Sequence, residues 1–224
     1  MQPAFHPDAP QHKYSNMKDI PNNYRENPIR YYKEELLNVS AEDAAERLGL
    51  KQENNSVYLS ILGTGYRINI PSFEFECQDP NKPDYLKGQA AQVLILHLLT
   101  ECRIVPSSGR FISYREYPSG DLYYKAFEGR CLKRLAFSYG TKVEAFKKDC
   151  AAAGAEAIEG GDAAFKIEFM PGLELKLILW GPDEEFPPSA QILFSDNFPA
   201  ALSAEGASGL CDIVISAIKA AGKK

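Results

Sequence analysis

The feature that most constrains the fold of this 224-residue chain is a run of alternating apolar and charged residues between 165 and 180. Apolar side chains occupy every second position, at Phe165, Ile167, Phe169, Leu173, Leu175, Leu177 and Leu179. A period of two is typical of β-strands that bury one face. The Pro171-Gly172 pair interrupts the run and predicts a hairpin turn between two antiparallel strands.

The length of the hairpin loop decides which residues face each other. A two-residue loop would place apolar side chains opposite charged ones on the same face. A loop of residues 171–173 sets Glu168 opposite Lys176, whereas a loop of residues 170–172 sets Glu168 opposite Glu174. The second loop gives its glycine the left-handed conformation that glycine favours. We predict the first loop, because it pairs opposite charges.

An acidic, proline-rich loop follows the second strand, with the sequence Gly-Pro-Asp-Glu-Glu-Phe-Pro-Pro at positions 181–188. Proline has no N–H to donate, so strand pairing is expected to stop there, and its ring limits the motion of the backbone. Residues 190–194 are the next predicted strand. Loops held by a rigid sheet often carry binding residues. The candidate binding residues of this region are Trp180, Asp183, Glu184 and Glu185.

The strongest helical pattern lies at residues 84–102, where apolar side chains recur at helical spacing. Residues 93–99 are apolar almost all round, which predicts a central, buried helix. His97 lies within this run and is therefore expected inside, either as a hydrogen-bonded core residue or as a ligand. Glu101 lies one turn later and could orient the imidazole.

The segment of residues 111–117, Phe-Ile-Ser-Tyr-Arg-Glu-Tyr, alternates aromatic and charged side chains. Tyr114 and Arg115 are candidate recognition residues, since an arginine can bind a carboxylate through two hydrogen bonds. The alternative is that Arg115 pairs with a glutamate of its own segment.

Length and composition predict one folded domain. Residues 1–27 contain four prolines and few aliphatic side chains, which predicts an N-terminal arm that is flexible or lies on the surface. A chain of this length buries roughly 70% of its unfolded surface. Strands at 57–77 are expected to join those at 163–194 in one sheet. The predicted fold class is α+β, with residues 28–222 forming a single domain of mostly antiparallel sheet packed with helices.

Charge and cysteine content argue against several classes of function. The net charge of −5 argues against binding to a nucleic-acid backbone. No run approaches about 18 apolar residues, so no membrane partner is expected, and the absence of an apolar signal core favours the cytoplasm. The five cysteines are widely spaced without a Cys-x-x-Cys pair. They are expected to be reduced, mostly buried thiols rather than a locally built zinc or iron–sulfur site.

The chain also resembles a known family. The residues that carry the resemblance are the block GGDAAFKIEFMPGLELKLILWGPDEEFPPSAQILFSDNFP, the helix with ILHLLT and the segment GRFISYREYPSGDLYYKAF. Over residues 28–220 the chain resembles number 3786 in the domain-of-unknown-function series, a family of anaerobic bacteria and archaea. The resemblance implies an accessory role in anaerobic one-carbon or corrinoid metabolism, with a corrinoid or iron–sulfur protein as a candidate partner. The four-cysteine module that some members carry is absent from this sequence.

The first functional hypothesis is a cytoplasmic accessory protein that binds a corrinoid or haem-like tetrapyrrole cofactor, or a metal. His97, Tyr114 and Arg115 would face one cavity in which the histidine coordinates or hydrogen-bonds the ligand and the arginine meets a carboxylate. Trp180 would stack on the ligand, and residues 183–185 would form a lid. These three carboxylates would also repel an anionic ligand, which favours a cationic ligand or a metal.

Two other classes of function remain open. An enzyme could use the carboxylates of Asp183, Glu184 and Glu185 for acid–base chemistry or to hold a hard cation. No nucleophile pattern accompanies them, so a protein that is not an enzyme is the stronger expectation. A partner-binding module could instead use Trp180 and the prolines of the loop as an exposed apolar patch.

Overall fold

The structure, a computed structural model, describes residues 27–223. The predicted N-terminal arm therefore lies outside the described residues except for Asn27. Within them the chain is a single α+β domain, as predicted, in which helices and antiparallel strands share one hydrophobic core. None of the helices between residues 27 and 223 has the length and apolar character needed to cross a bilayer.

Local sequence signals explain where the first helices begin and end. The α-helices are α1 Pro28–Leu36, α2 Ala41–Leu48, α3 Gln89–Glu101, α4 Gly120–Phe127, α5 Arg134–Tyr139, α6 Val143–Ala152, α7 Phe198–Ala201 and α8 Ala204–Ala221. Asn27 caps α1 by accepting a hydrogen bond from the backbone N–H of Arg30 at 3.1 Å. Ser40 caps α2 in the same way, and Gly49 ends it with a φ of 64°.

The strands form two antiparallel sheets rather than the single sheet that was expected. The strands are β1 Lys51–Glu53, β2 Ser56–Ile61, β3 Thr64–Asn69, β4 Phe75–Cys77, β5 Phe111–Ser113, β6 Glu156–Ile158, β7 Ala163–Met170, β8 Leu173–Trp180 and β9 Ser189–Ser195. The first sheet has the order β1-β2-β3-β4 and the second β5-β9-β8-β7-β6. Both edges of β2 and of β7 are occupied by neighbours within their own sheets. The sheets meet through a backbone hydrogen bond from Leu62 to Phe169, 2.8 Å long.

The β7–β8 hairpin has a different register from the one predicted. Its turn consists of Pro171 and Gly172, and a β-bulge in β7 then shifts the pairing, so that Glu168 faces Glu174. The prediction from charge was therefore wrong, and the pairing of the glycine-based alternative is the one observed. Gly172 has a φ of 86°. Opposite charges still meet diagonally, because the Nζ atom of Lys166 lies 3.2 Å from a carboxylate oxygen of Glu174.

The predicted helix at 84–102 is present, but this helix and a later one are each divided by a turn of another helical type. The pattern at 84–102 begins with a 3-10 turn, Tyr85–Lys87, and α3 starts only after the extended Gly88. A later helical stretch, residues 120–139, contains a π-helical turn, Glu128–Lys133, between α4 and α5. A π-turn inside a helix is rare and often accompanies a functional site.

The core lies between the second sheet and the helices that cover it. The inward residues of β8 are fully buried, and the helices α5 and α6 pack on β7 and β8. Strand β8 ends at Trp180, where the chain leaves the core and enters the loop at 181–188. The sheet thus presents this loop at the end of one of its central strands.

Candidate functional site

The loop of residues 181–188, which we call the acidic–aromatic loop, is held at both ends by contacts with other elements of the fold. The backbone N–H of Gly181 donates a hydrogen bond of 2.7 Å to the carboxylate of Asp162. At the other end Pro188 packs against Gly140, which follows α5. A Cβ atom placed on Gly140 would lie 2.1 Å from the Cβ of Pro188, so only glycine leaves room for this contact.

Asp183 fixes the tip of the acidic–aromatic loop. Its Oδ1 atom accepts hydrogen bonds from the backbone N–H groups of Glu185, at 2.8 Å, and Phe186, at 2.7 Å. The backbone N–H of Asp183 in turn donates to the carbonyl of Phe186 at 3.1 Å. The two bonds that the carboxylate accepts lower the pKa of Asp183. The loop tip therefore has a defined shape before any ligand arrives.

The groups that this fixed tip presents are one large aromatic ring and two carboxylates. Phe186 is 66% exposed, and Trp180 at the base of the loop is 37% exposed. Glu184 and Glu185 are exposed, and their side chains make no hydrogen bond or ion pair with any residue in the described range 27–223. Phe137 on α5 is 76% exposed. The loop tip therefore presents an exposed apolar ring with two carboxylates beside it, and another molecule could contact all three groups.

His97 lies on α3 in a different environment. Its ring stacks on that of Tyr32 from α1 with 5.1 Å between centroids, and its Nε2 atom lies 3.5 Å from the carboxylate of Glu101. The side chain of His97 is 13% exposed. The expectation that this residue lies inside is confirmed, and Glu101 lies close enough to its ring to orient it.

The protonation state of His97 follows from these neighbours. Burial alone would lower the pKa of His97, but hydrogen bonds with the side chains of Cys102 and Glu101 outweigh this and raise it to about 10. These neighbours favour the protonated imidazole, in which both ring nitrogens carry protons and neither has a lone pair to give to a metal.

Tyr114 and Arg115 are adjacent in the chain, but the side chain of Tyr114 is buried and that of Arg115 is exposed. Tyr114 is buried, stacks on Phe127 with 3.9 Å between centroids, and donates a hydrogen bond of 2.8 Å to the carbonyl of Ala204. Arg115 is exposed and forms an ion pair with Asp121 at 3.1 Å. Its guanidinium lies 3.5 Å from the ring centroid of Tyr124. The partner of Arg115 is thus an aspartate of α4, not a glutamate of its own segment.

The structure brings together only part of the candidate set. Trp180 and residues 183–185 share the acidic–aromatic loop. His97, Tyr114 and Arg115 have separate contacts, and none of the interactions recorded within residues 27–223 joins them to one another. Their roles in ligand binding stay predictions.

Two surface depressions stand out, and neither contains a candidate residue. An open groove of about 400 Å³ lies between α1 and residues 71–72, and a depression of about 180 Å³ lies where β7 meets the β2–β3 turn. The part of the chain that the structure describes gathers no group of three or more His, Cys, Asp or Glu side chains able to hold a metal ion.

Sequence reasoning missed Phe186 as a candidate binding residue. The sequence pattern that could have indicated it is a single large apolar residue, Phe186, between a glutamate and two prolines. It also missed the supports of the loop, Asp162 and Gly140, because their contacts come from distant parts of the chain.

Comparison with known proteins gives one match. The profile of the family described as "Domain of unknown function (DUF3786)" matches residues 40–217. This span is somewhat narrower than the 28–220 expected from the sequence. No curated protein and no solved structure matches the chain.

Proposed function

We propose, for a chain that belongs to the DUF3786 family, a role as a protein-partner binding module that docks through the acidic–aromatic loop. The observation that carries the proposal is the exposure of Phe186 at the tip of a loop that is held at Gly181, at Asp183 and at Pro188. The loop has a fixed shape, but its largest side chain packs on little of its own fold.

The energetics of binding favour such an arrangement. Large aromatic residues are enriched at interfaces, and truncating a hot-spot residue that fills a pocket of the partner costs about 2 kcal/mol or more of binding free energy. Association also costs free energy for each loop and side chain that becomes ordered. Because Asp183 already holds the backbone of Phe186, less of that ordering remains to be done when the partner binds.

The charges of the loop indicate the chemistry of the partner. Glu184 and Glu185 have no ion-pair partner among residues 27–223. A binding surface with lysine or arginine beside an apolar pocket would complement them, speed association and exclude acidic competitors. The proposal places this partner in the cytoplasm. The accessory role implied by the family resemblance makes a corrinoid or iron–sulfur protein the first partner to test.

Direct binding of a corrinoid or haem-like cofactor, or of a metal, stays a prediction with less support. The protonated imidazole of His97 is unsuited to coordination, and Arg115 is already paired. Titration with cobalamin and with haem, followed by visible absorbance, tests it. A micromolar affinity that falls in His97→Ala or Arg115→Ala would support cofactor binding through these residues.

The enzyme alternative also has less support. The Asp183 carboxylate is engaged by two backbone N–H groups, and this lowers its pKa, which suits a structural acceptor better than a general acid. Glu184 and Glu185 lie on the exposed tip of the loop, in contact with solvent. We therefore assign the carboxylates of Glu184 and Glu185 to partner recognition.

The experiment that tests the proposal is site-specific photo-crosslinking in cells of the organism that makes the protein. A photoreactive phenylalanine analogue replaces Phe186 in one variant and Leu37 in another. Leu37 is a matched control, because it is also 66% exposed but lies at the end of α1. We expect a discrete crosslinked protein from position 186 that is missing from position 37. Identical products at both positions, or none at position 186, would contradict the proposal.

A further inference from the structure

The second sheet has one face that the hydrophobic core does not use. Along β8 the leucines point into the core, and Ile178 and Trp180 alternate with them on the opposite face, which we call the outer sheet face. The strand pairings set Ile158 of β6, Ala164 of β7, Ile178 and Gln191 of β9 in one row across four adjacent strands. Such a row is about 14 Å wide, because neighbouring strands lie about 4.8 Å apart.

The apolar residues of the outer sheet face are partly exposed to solvent. Trp180 is 37% exposed, and Ile158 and Ile178 are half-buried. Neither isoleucine belongs to the hydrophobic core of residues 27–223 or packs against it. The turn beside Ile178 contains Gly160 and Gly161, and Cβ atoms built on these glycines would lie 3.6 and 3.0 Å from its Cγ2 atom. Because they are glycines, these two residues add no side chain over Ile178.

The outer sheet face adjoins the acidic–aromatic loop. Trp180 belongs to the face and is the last residue of β8, and its pairing partner Ser189 is the residue at which the chain leaves the loop and enters β9. Phe186 precedes Ser189 by three residues, so the Cα atoms of these two residues are at most about 11 Å apart. A partner that covers Phe186 therefore has the outer sheet face within its reach.

A protein–protein interface requires more surface than the tip of the loop supplies. A specific interface covers about 800 Å² on each partner. A large aromatic side chain buries roughly 150–250 Å² when it is fully covered, and Phe186, which is 66% exposed, has about two thirds of that area left to bury. Most of the area that the partner covers must therefore lie on surface next to the loop.

The charges of the outer sheet face continue those of the loop. The strand pairings place three carboxylates on this face, Glu156, Glu168 and Glu174, and two ammonium groups, Lys166 and Lys176. Lys166 forms ion pairs with Glu156 at 3.1 Å and with Glu174 at 3.2 Å, and the Nζ atom of Lys176 lies 4.1 Å from the centre of an aromatic ring of β5. The face is therefore negatively charged in sum, as the acidic–aromatic loop is.

The surface on the other side of the loop has the opposite charge. Phe137 is 76% exposed on α5, the helix that packs on the inner side of β8. Three cations, Arg130, Lys133 and Arg134, lie on the turns that precede it and share only two carboxylates as ion-pair partners. A partner with lysine or arginine beside its apolar pocket is repelled from this surface and attracted to the outer sheet face.

We propose that the partner of the acidic–aromatic loop also packs on the outer sheet face, with a flat apolar surface that is bordered by lysine or arginine. This inference rests on the proposed function and extends its interface. Phe186 anchors the partner, Trp180 and the row of Ile158 and Ile178 make the apolar contacts, and the glutamates of the face meet the basic border.

The first test adds two positions to the photo-crosslinking experiment. The photoreactive analogue replaces Gln191 on the outer sheet face or Gln52, a glutamine that is also exposed but lies on β1 of the first sheet. We expect position 191, and not position 52, to capture the same protein as position 186. Capture at 186 without capture at 191, or equal capture at 52, would overturn this inference and leave the docking of the loop intact. No capture at 186 would contradict the proposed function itself, and this inference with it.

The second test measures, by isothermal titration, the affinity of the purified captured protein for variants of the full chain. Gln191→Lys is expected to weaken binding about threefold or more, whereas Gln191→Glu should leave it unchanged or strengthen it, because the border of the partner is basic. Gln52→Lys is the control and should stay within about twofold of the native chain. Equal affinities for the lysine and glutamate variants of position 191 would overturn the proposal.

The apolar part of the contact is tested by Ile178→Ala, which shortens the row of the outer sheet face. We expect its affinity for the captured protein to be about fivefold weaker or more. Circular dichroism shows whether this variant is folded, and the Gln191 variants decide the question if it is not. A folded Ile178→Ala that binds like the native chain would overturn packing of the partner on this face.

Discussion

Helix α3 and the acidic–aromatic loop both place aromatic and charged groups next to each other. On α3 these groups contact other residues of the fold, whereas on the loop they are exposed. On α3, His97 stacks on Tyr32 and lies 3.5 Å from Glu101, so its interactions are completed within the fold. On the loop, Phe186 is two-thirds exposed and Glu184 has no partner among the described residues. The backbone of the loop is nevertheless fixed by hydrogen bonds.

A fixed backbone conformation and completed side-chain interactions are therefore separate properties of a segment. Side chains whose interactions are completed internally contribute to the free energy of unfolding. A fixed segment whose side chains remain exposed contributes little to unfolding and keeps its surface for a partner. Substitutions on α3 should therefore change stability, and substitutions at the loop tip should change binding.

The largest expected effect on stability is that of Leu96→Ala on α3. Leu96 is fully buried, so its truncation removes apolar contacts and leaves a cavity, at a loss of about 2–5 kcal/mol of unfolding free energy. Phe186→Ala removes a larger side chain but is expected to change that free energy by less than about 0.5 kcal/mol. Urea unfolding of both variants measures the contrast. Equal losses would show that Phe186 belongs to the core.

Gly140→Ala is expected to lower the free energy of unfolding by about 1–3 kcal/mol, since the new methyl group collides with Pro188. The matched control is Gly129→Ala, where the same methyl group meets nothing within 4 Å. Because alanine favours a helix over glycine, that variant should be neutral or more stable by up to about 1 kcal/mol. If both variants behaved alike, the contact between α5 and the acidic–aromatic loop would not be tight.

His97 should make stability depend on pH. Its pKa is raised from 6.5 to about 10, so the stabilisation is fully present below pH 6.5 and is lost as the pH rises through about 10. Since Glu101 is partly exposed, we expect a loss of about 1–2 kcal/mol across this window. Urea midpoints at pH 6.5, 8 and 9.5 should fall more steeply for the native chain than for His97→Gln. Parallel profiles would contradict the internal pairing.

The smallest expected effect is that of Asp183→Ala, which removes the acceptor for two backbone N–H groups. We expect faster hydrogen exchange at the amides of residues 185 and 186, with global stability almost unchanged. Asp183→Asn keeps an acceptor oxygen and should restore much of the protection. Unchanged exchange in the alanine variant would mean that the shape of the tip has another cause.

The same contrast explains how much of the molecule could be predicted from its sequence. Alternation predicted β7 and β8, and helical spacing predicted α3 and the burial of His97, because both signals depend on neighbours in the chain. The hairpin register was predicted wrongly, because a bulge and a diagonal pair of Lys166 with Glu174 changed the balance of charges.

The loop itself was predicted from its prolines and acidic residues, but the way it is held was not. Its supports, Asp162 and Gly140, come from other elements. The division of the strands into two sheets was also missed, because it depends on which edges are already occupied. The proposed cavity joined His97 with Arg115 on residue type alone, and type does not reveal that each already has a partner.

The most direct test of the partner-binding role is the affinity of the captured partner, purified, for three forms of the chain. Isothermal titration should give a dissociation constant for Phe186→Ala roughly thirtyfold weaker than for the native chain, the change expected for a hot-spot residue. Leu37→Ala, which removes an equally exposed side chain from the residue that follows α1, should stay within about twofold. An unchanged affinity for Phe186→Ala, or an equal loss in both variants, would contradict docking through the acidic–aromatic loop.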